Sequence, residues 1–292
     1  MRRARGATAP AMVAAPAAPA APASVGAPAA VAVAASGLVF APGGARILDE
    51  VSFEVGRGEI VALIGPNGAG KSTALAALAG DIRLSHGSVT IDDRDLRSLP
   101  IAELGRLRSV LLQQSAVAFS YTVREIVMMG RLPWNAVAID DDEPTDEEIV
   151  AQAMRRTDIE HLADRDVTTL SGGEQARAAL ARVLAQRCGI VMLDEPTAAL
   201  DIGHQEQVLQ LARELADGGV AVLVVLHDLG LAAAYADRVV VMDHGRVVAD
   251  GVPHEVMTGE LLSRVYRYPI EVIRHAETGE LLVTPVRSVW RS

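Results

Sequence analysis

The segment GPNGAGKST combines three glycines, one lysine and two hydroxyl residues at a spacing that suits phosphate binding. Gly65, four further residues, Gly70, Lys71 and Ser72 fit the phosphate-binding loop that joins a strand to a helix. Inward-turned backbone N–H groups and the helix N-terminus would surround the phosphates, with Lys71 reaching the β- and γ-phosphates and Ser72 holding Mg²⁺. The residues expected to bind phosphate are Gly65, Pro66, Asn67, Gly68, Ala69, Gly70, Lys71, Ser72 and Thr73.

Lys71 is the only lysine among 27 lysine and arginine residues. A compact ammonium fits a tight cradle, whereas a planar guanidinium is wider and prefers forked contacts at an open edge. Arginine therefore replaces lysine in this chain wherever a generic cation is sufficient, and lysine is kept where a point charge must enter a pocket.

Two adjacent carboxylates, Asp194 and Glu195, end a strongly apolar run. In combination with the phosphate-binding loop, Asp194 is expected to hold Mg²⁺, and Glu195 is expected to activate the attacking water. Without such a loop, two acids at the end of a strand would indicate only a turn.

The overall composition limits the classes of partner and compartment. The net charge is -10, which argues against general nucleic-acid binding because an acidic body repels phosphate backbones. Cys188 is the only cysteine, so no internal disulfide can form and a reducing compartment is expected. No apolar run reaches the length of about 18 residues needed to span a bilayer. Residues 1–35 are rich in alanine and proline and are interpreted as a flexible tail rather than a signal peptide.

The pattern of apolar residues indicates an α/β fold in which strands alternate with helices around a parallel sheet. A helix is expected from Lys71 to about Ala79, ended by Gly80, and a hairpin is expected to turn at His244 and Gly245. Residues 115–169 look mostly helical around an acidic run at 140–148, which we interpret as a capped helix start rather than a metal site. The predicted strands are residues 47–55, 59–65, 87–93, 189–194 and 220–226.

The sequence LSGGEQ at residues 170–175 has the serine and glutamate of a capping box and two glycines at a helix start, which is itself an anion site. With the phosphate-binding loop upstream, residues 36–270 resemble the ATP-binding cassette (ABC) ATPases, in which LSGGEQ is similar to the signature motif. The resemblance implies a P-loop NTPase fold with a RecA-like parallel sheet core, an antiparallel β subdomain and an inserted helical subdomain at about 115–169. It also implies ATP and Mg²⁺ as ligands and a head-to-tail homodimer. In that dimer, Ser171, Gly172, Gly173 and Glu174 of one copy would close on the nucleotide of the other.

Three further residues resemble family positions, and at one further position the sequence departs from the family pattern. Gln113, or less readily Gln114, resembles the Q-loop glutamine that senses the γ-phosphate and Mg²⁺. His227, after an apolar strand, resembles the switch histidine, and Asp201 resembles the D-loop aspartate at the dimer seam. Phe40 is the candidate for the aromatic residue that stacks on adenine, with Ala41 as the alternative register.

The resemblance narrows the biological role to transport. Non-transport ABC ATPases of DNA repair, translation or iron–sulfur assembly, and simple P-loop kinases, are the other classes considered. ATPases of DNA repair carry long coiled coils between the nucleotide motifs, and those of translation carry two cassettes on one chain; neither feature is seen in this sequence. A kinase would have no need of LSGGEQ. The sequence TVREIVMMGR at residues 122–131 resembles importer ATPases for iron chelates, haem and cobalamin. The segments at 115–123 and 266–285 are most similar to the haem importer ATPases, with ferric siderophore and then cobalamin as alternatives.

The implied assembly places this chain peripherally on the cytoplasmic face of a bacterial cell membrane. Integral membrane permease subunits would be driven by it, and an extracytoplasmic substrate-binding protein would act indirectly. The expected layout is a tail at residues 1–35, the nucleotide-binding domain at 36–270 and a C-terminal extension at 271–292.

Overall fold

The computed structural model describes residues 30–112, 120–135, 137, 143–198 and 200–287. In chain order the strands are β1 (Val31–Phe40), β2 (Leu48–Gly56), β3 (Ile60–Ile64), β4 (His86–Ile91), β5 (Arg94–Asp95), β6 (Arg108–Leu111), β7 (Ile190–Asp194), β8 (Ala221–Val225), β9 (Arg238–Asp243), β10 (Arg246–Gly251), β11 (Ile270–Arg274) and β12 (Leu281–Pro285). The α-helices are α1 (Lys71–Ala79), α2 (Ile101–Leu107), α3 (Val123–Met128), α4 (Asp146–Arg156), α5 (Gly172–Ala185), α6 (Ile202–Asp217), α7 (Leu229–Tyr235), α8 (Pro253–Val256) and α9 (Gly259–Tyr266).

A six-stranded sheet in the order β10-β9-β3-β8-β7-β6 forms the centre of the fold. Its strands are parallel except for β10, which pairs antiparallel with β9 across the predicted turn at His244 and Gly245. Strands β3, β7 and β8 are buried along their whole length, as their continuous apolar runs predicted. Because parallel strands end at the same edge of a sheet, residues 64, 194 and 225 mark one edge at which a site can form.

An antiparallel sheet in the order β2-β1-β4-β5 shares a hydrophobic cluster with α1. Strand β2 alternates between buried and exposed positions, as predicted. Strand β1 begins at Val31, so residues 31–35 form part of a sheet rather than of the tail to which we assigned them. Val33 and Ala35 in this segment are buried and pair with both β2 and β4. The strand was missed because its alanines and valines follow the Ala/Pro-rich stretch without a break in composition. Residues 1–29 lie outside the described residues.

Helices α3, α4 and α5 share a separate hydrophobic cluster and form the helical subdomain. Helix α4 begins with the predicted capping box between Thr145 and Glu148. The subdomain extends beyond residue 169, because α5 contributes the buried side chains of Ala178, Ala181 and Ala185 to the same cluster.

The end of the chain packs against the central domain. Strands β11 and β12 form a hairpin whose inward side chains, Ile270, Val272, Leu281 and Val283, contact the cluster on one face of the central sheet. The expected boundary at residue 271 therefore falls inside β11, and residues 288–292 lie outside the described part. Within the described residues, none of the helices has the length and apolarity required to cross a bilayer.

Candidate active site

The phosphate-binding loop runs from the end of β3 to the start of α1, as predicted. Gly65 has a φ of 148°, and a Cβ atom there would lie 2.1 Å from the carbonyl oxygen of Met242 in β9. At Gly70, with a φ of 96°, a Cβ atom would lie 2.9 Å from the carbonyl oxygen of Ile47. Gly68 has a φ of 80° but would bring a Cβ atom into open space. The loop is thus held on one side by neighbouring backbone and is open on the other.

The Lys71 side chain is buried within this loop, with 5% of the residue exposed. Its Nζ donates to the carbonyl oxygens of Gly65 at 2.8 Å and Pro66 at 3.1 Å. Burial lowers the pKa of the ammonium group, and the nearby charges of Glu195 and Asp194 oppose that shift. The backbone N–H groups at the start of α1 have no intrahelical partner. The ammonium group and these N–H groups together give the loop a positive potential that suits phosphate.

Ser72 and Asp194 meet at the edge of the central sheet. The Ser72 hydroxyl donates to Oδ1 of Asp194 at 3.0 Å, and Asp194 is 5% exposed at the end of β7. Burial raises the pKa of this carboxyl, partly offset by the Ser72 hydrogen bond. A hydroxyl and one carboxylate, both hard oxygen donors, suit a Mg²⁺ ion that takes its remaining ligands from water and phosphate. The described residues contain no cluster of three or more His, Cys, Asp or Glu side chains that would form a self-sufficient metal site.

Glu195 and His227 lie beside each other at the ends of β7 and β8. His227 Nε2 lies 2.5 Å from Glu195 Oε1, and the Glu195 backbone N–H donates to the carbonyl oxygen of Val225 at 3.2 Å. Glu195 adopts a left-handed backbone conformation with a φ of 52°, which turns the chain sharply after Asp194. Its side chain is 13% exposed, against 45% for His227. A carboxylate that is hydrogen-bonded to a neighbouring imidazole in this way can accept a proton from water.

The signature segment, residues 171–174, opens helix α5. The Ser171 side chain accepts from the Glu174 N–H at 3.3 Å, and the Glu174 carboxylate accepts from the Ser171 N–H at 2.7 Å, which completes the predicted capping box. Hydrogen bonds from the Ser171 backbone and side chain to the Glu174 carboxylate lower its pKa. The helix begins at Gly172, directly after its N-cap Ser171, because residues that follow an N-cap already have helical conformation. Ser171 and Gly172 are exposed, so the helix start can receive an anion from another molecule.

Three other predicted residues have different outcomes. Asp201 caps α6, where its carboxylate accepts from the His204 N–H at 2.9 Å. Phe40 is the last residue of β1 and is partly buried. Its carbonyl oxygen accepts from the Ile47 N–H, and the carbonyl oxygen of Ile47 faces Gly70. Gln113, predicted to contact both phosphate and metal, lies outside the described residues, as does Gln114.

Gly245 is a contributor to the site that sequence analysis missed. Its N–H donates to the carbonyl oxygen of Ala69 at 3.0 Å, so the β9–β10 turn supports the phosphate-binding loop. A Cβ atom at Gly245 would lie 2.4 Å from the carbonyl oxygen of Ile47. The turn was predicted from its residues, but nothing in the local sequence indicated its long-range contact.

The phosphate-binding loop and the signature segment belong to different parts of the chain. The loop packs with the cluster under α1, whereas the signature segment opens α5, which contributes side chains both to the helical cluster and to the cluster on one face of the central sheet. In the part of the chain that the structure describes, no hydrogen bond or ion pair joins residues 65–73 to residues 171–174. One copy therefore presents the phosphate-binding loop and the start of α5 as two separate elements.

Comparison with known proteins gives concordant results. Residues 48–198 match the protein family described as ABC transporter. A hemin import ATP-binding protein, HmuV, of Rhodococcus jostii (strain RHA1) is 55% identical over 251 residues, which cover 86% of this chain and 85% of the relative. HmuV of Nocardia farcinica (strain IFM 10152) is 56% identical over 243 residues, which cover 83% of each chain.

Solved structures agree with this match. A metal-chelate type ABC transporter in an inward-facing conformation has a TM-score of 0.73 at 27% identity, covering 88% of this chain and 98% of the other. A dimeric bacterial ABC transporter cassette has a TM-score of 0.68 at 27% identity, covering 76% and 98%. Since both the family match and the alignments to relatives extend over most of the domain that carries the site, the chain belongs to the ABC transporter family, as an ATP-binding subunit that hydrolyses ATP.

Proposed function

We propose that this chain is the ATP-hydrolysing subunit of an importer that carries haem across the cell membrane. The observation that carries the proposal is more than 50% identity to two hemin import ATP-binding proteins over more than four-fifths of each chain. The metal-chelate type transporter, at 27% identity, supports the same broad class of cargo.

Two copies of the chain would act as a head-to-tail homodimer. The signature segment is exposed and shares no hydrogen bond with the phosphate-binding loop of its own chain within the described residues. A symmetric pair brings the exposed Ser171 of one copy to the loop of the other at two equivalent sites. One of the structural neighbours, a bacterial ABC transporter cassette, is dimeric, which supports the pairing of two copies.

In each site, Lys71 would release the carbonyl oxygens of Gly65 and Pro66 and bind the β- and γ-phosphates of ATP. The donor set of Ser72 and Asp194 fits Mg²⁺, and those two residues would hold it. When bound, the ion neutralises charge on the phosphates. Burial of Asp194 strengthens its electrostatic interaction with the cation.

Hydrolysis would depend on Glu195 and His227. The Glu195 carboxylate would accept a proton from the attacking water, and His227, 2.5 Å from it, would fix the direction of the carboxylate and contact the γ-phosphate. The Ser171 helix start of the partner copy would cover the same phosphate and exclude bulk water. Closure then requires ATP, and reopening follows phosphate release.

Closure of the two copies would drive a separate integral membrane permease through the helical subdomain. Helix α5 links this subdomain to the central sheet, because Ala178 and Ala181 lie in the helical cluster and Leu180 and Val183 lie in the cluster beside the sheet. An extracytoplasmic binding protein would deliver haem to that permease. The chain would accordingly lie peripherally on the cytoplasmic face of the cell membrane.

Deletion of the gene tests the cargo. The deletion strain is expected to lose growth on haemin as sole iron source, and the wild-type gene should restore it. Complementation with Glu195→Gln should fail, whereas Glu271→Gln, an exposed carboxylate on β11 with the same substitution, should restore growth.

Other growth patterns would contradict haem as the cargo. Normal growth on haemin with loss of ferric siderophore use would assign the chain to siderophore import. Loss of cobalamin-dependent growth alone would assign it to cobalamin import.

A further inference from the structure

Two short segments of the chain share a sequence pattern. Residues 170–175 read Leu-Ser-Gly-Gly-Glu-Gln, and residues 200–205 read Leu-Asp-Ile-Gly-His-Gln. Each consists of a leucine, a helix N-cap, two further residues of which the second is glycine, a residue whose N–H bonds to the cap, and a glutamine. The first segment opens α5 and the second opens α6.

The glutamine at the end of the first segment is bonded to the chain that precedes its helix. Nε2 of Gln175 donates to the carbonyl oxygen of Leu170 at 3.1 Å and to that of Val167 at 3.4 Å. The acceptors lie 5 and 8 residues earlier in the chain. Gln175 therefore links the first turn of α5 to the turn that leads into the signature segment.

Gln205 repeats this geometry at α6. Its Nε2 donates to the carbonyl oxygen of Leu200 at 3.1 Å and to that of Thr197 at 3.3 Å, again 5 and 8 residues earlier. The carbonyl oxygens of Thr197 and Val167 also accept from the backbone N–H groups of Leu200 and Leu170, at 3.3 Å in each case. The side-chain amide, which has two N–H groups, adds to each turn a second bond from the helix that follows it.

The two segments differ in charge. Asp201 places a carboxylate at the start of α6, where Oδ1 lies 2.9 Å from the His204 backbone nitrogen and 2.8 Å from His204 Nδ1. Ser171, the corresponding N-cap of α5, is neutral, and the carboxylate of that segment belongs to Glu174, which accepts from the Ser171 N–H. Because the N-cap of α6 is itself an anion that occupies the His204 N–H, we assign no anion-binding role to this second copy of the pattern.

The position of the second segment indicates what it does instead. Thr197 is two residues from Glu195, and the carbonyl oxygen of Glu195 accepts from the Ala198 N–H at 3.1 Å. The carbonyl oxygen of Thr197 accepts from both the Leu200 N–H at 3.3 Å and Gln205. Gln205 thus fixes the chain between Glu195 and Asp201.

We propose that Gln175 and Gln205 are positioning residues: Gln175 holds the signature segment, and Gln205 holds the loop from Glu195 to Asp201, before the two copies close on ATP. This inference rests on the proposed dimeric mechanism. The same pair of hydrogen bonds, from a glutamine amide to two carbonyl oxygens, would hold both of the segments that meet the partner copy.

The test replaces each glutamine by methionine, which is similar in length but has no N–H group. Gln205→Met should lower kcat for ATP about fivefold, because the hydrogen bonds of the amide are lost. KM for ATP should stay within about twofold, because the phosphate-binding loop precedes α1 and Gln205 lies on α6. In a Glu195→Gln background, Gln175→Met should raise the ATP concentration for half-maximal dimer formation about fivefold. Gln207→Met, an exposed position on α6, is the matched control and should change neither value.

Hydrogen exchange of the nucleotide-free protein gives a readout that does not depend on the dimer. Amides of residues 167–171 in Gln175→Met, and of residues 197–201 in Gln205→Met, should exchange faster than in the Gln207→Met control. Glu195→Gln protein that fails to dimerise with ATP would overturn the dimeric mechanism, and exchange and kcat would still decide the role of the glutamines. Glutamine variants that match the control in exchange, kcat and dimer formation would overturn this proposal. A kcat unchanged beside a lowered melting temperature would also overturn it.

Discussion

Glu195 and His227 face each other across two neighbouring parallel strands, with 2.5 Å between Oε1 and Nε2. Asp194, the last residue of β7, is in register with Val225, the last residue of β8. Each of the two side chains follows its strand by one or two residues, so the sheet register sets their separation. Because both residues directly follow rigid strands, their relative position is held more precisely than it would be on long loops.

Replacement of Glu195 by glutamine should reduce ATP hydrolysis by about 10² to 10⁴-fold, because the amide cannot accept a proton from water. ATP binding should persist, since Lys71 and Ser72 are unchanged. Steady-state turnover and equilibrium nucleotide binding measure the two effects. Undiminished turnover would remove Glu195 from the role of base.

A double-mutant cycle tests the function of His227. If His227 acts by orienting Glu195, His227→Ala should slow hydrolysis in the wild-type background but have little further effect beside Glu195→Gln. Independent, additive losses would instead mean that His227 acts on the phosphate without Glu195.

Lys71→Arg should bind ATP about as poorly as Lys71→Ala. The Nζ atom is enclosed by the carbonyl oxygens of Gly65 and Pro66, at 2.8 and 3.1 Å, in a site where the residue is 5% exposed. A guanidinium is wider and planar, so retention of the positive charge does not restore the fit. Nucleotide titration followed by fluorescence measures the affinities.

The matched control is Arg264→Lys, at an exposed position on α9, which exchanges the same two residue types outside the site. It should leave ATP affinity unchanged. Wild-type affinity in Lys71→Arg would show that the loop accepts either cation, contrary to our explanation of the single lysine.

The Cys188 thiol should be unreactive in the folded protein. Burial raises its pKa from 9.0 to about 12, and the residue is 6% exposed. The unfolded chain loses the thiol proton near pH 9 and the folded chain does not, so stability from this group is full below pH 9 and falls as the pH rises towards 12. Thiol labelling at pH 8 with and without urea checks the reactivity.

Comparison with Cys188→Ala separates the contribution of the thiol to stability from that of the other groups that titrate above pH 9. Above pH 9, wild-type protein should lose about 1.4 kcal/mol of unfolding free energy per pH unit more than the alanine variant. Urea unfolding at pH 8 and pH 10 gives the change in unfolding free energy of each protein. The same change in wild-type protein and in Cys188→Ala would contradict the raised pKa.

Sequence was sufficient for the parts of the molecule whose signals are local. The P-loop, the capping boxes at Thr145 and Ser171 and the buried strands β3, β7 and β8 each follow from residues within one element. Strand β1 was missed because its alanines and valines resemble the tail, and only pairing with β2 and β4 distinguishes them. The support of the phosphate-binding loop by Gly245 was missed because it joins residues far apart in sequence.

Gly65 and Gly68 differ in a way that only the structure reveals, and alanine substitutions should separate them. Both have positive φ, at 148° and 80°, so each alanine is strained. Gly68→Ala adds a methyl group to open space and should cost about 1 to 2 kcal/mol in unfolding free energy. Gly65→Ala places a Cβ atom 2.1 Å from the carbonyl oxygen of Met242, and β9 cannot yield without disturbing the central sheet. We expect it to cost about 3 kcal/mol or more.

Urea unfolding measures both variants, and nucleotide titration distinguishes stability from binding. Gly68→Ala should remain folded but bind ATP more weakly, because its methyl group projects from the open side of the loop, where backbone must approach phosphate closely. Gly65→Ala should lose stability first, with ATP binding lost as a consequence. Equal destabilisation by the two substitutions would mean that backbone strain, rather than the contact with Met242, determines the need for glycine at position 65.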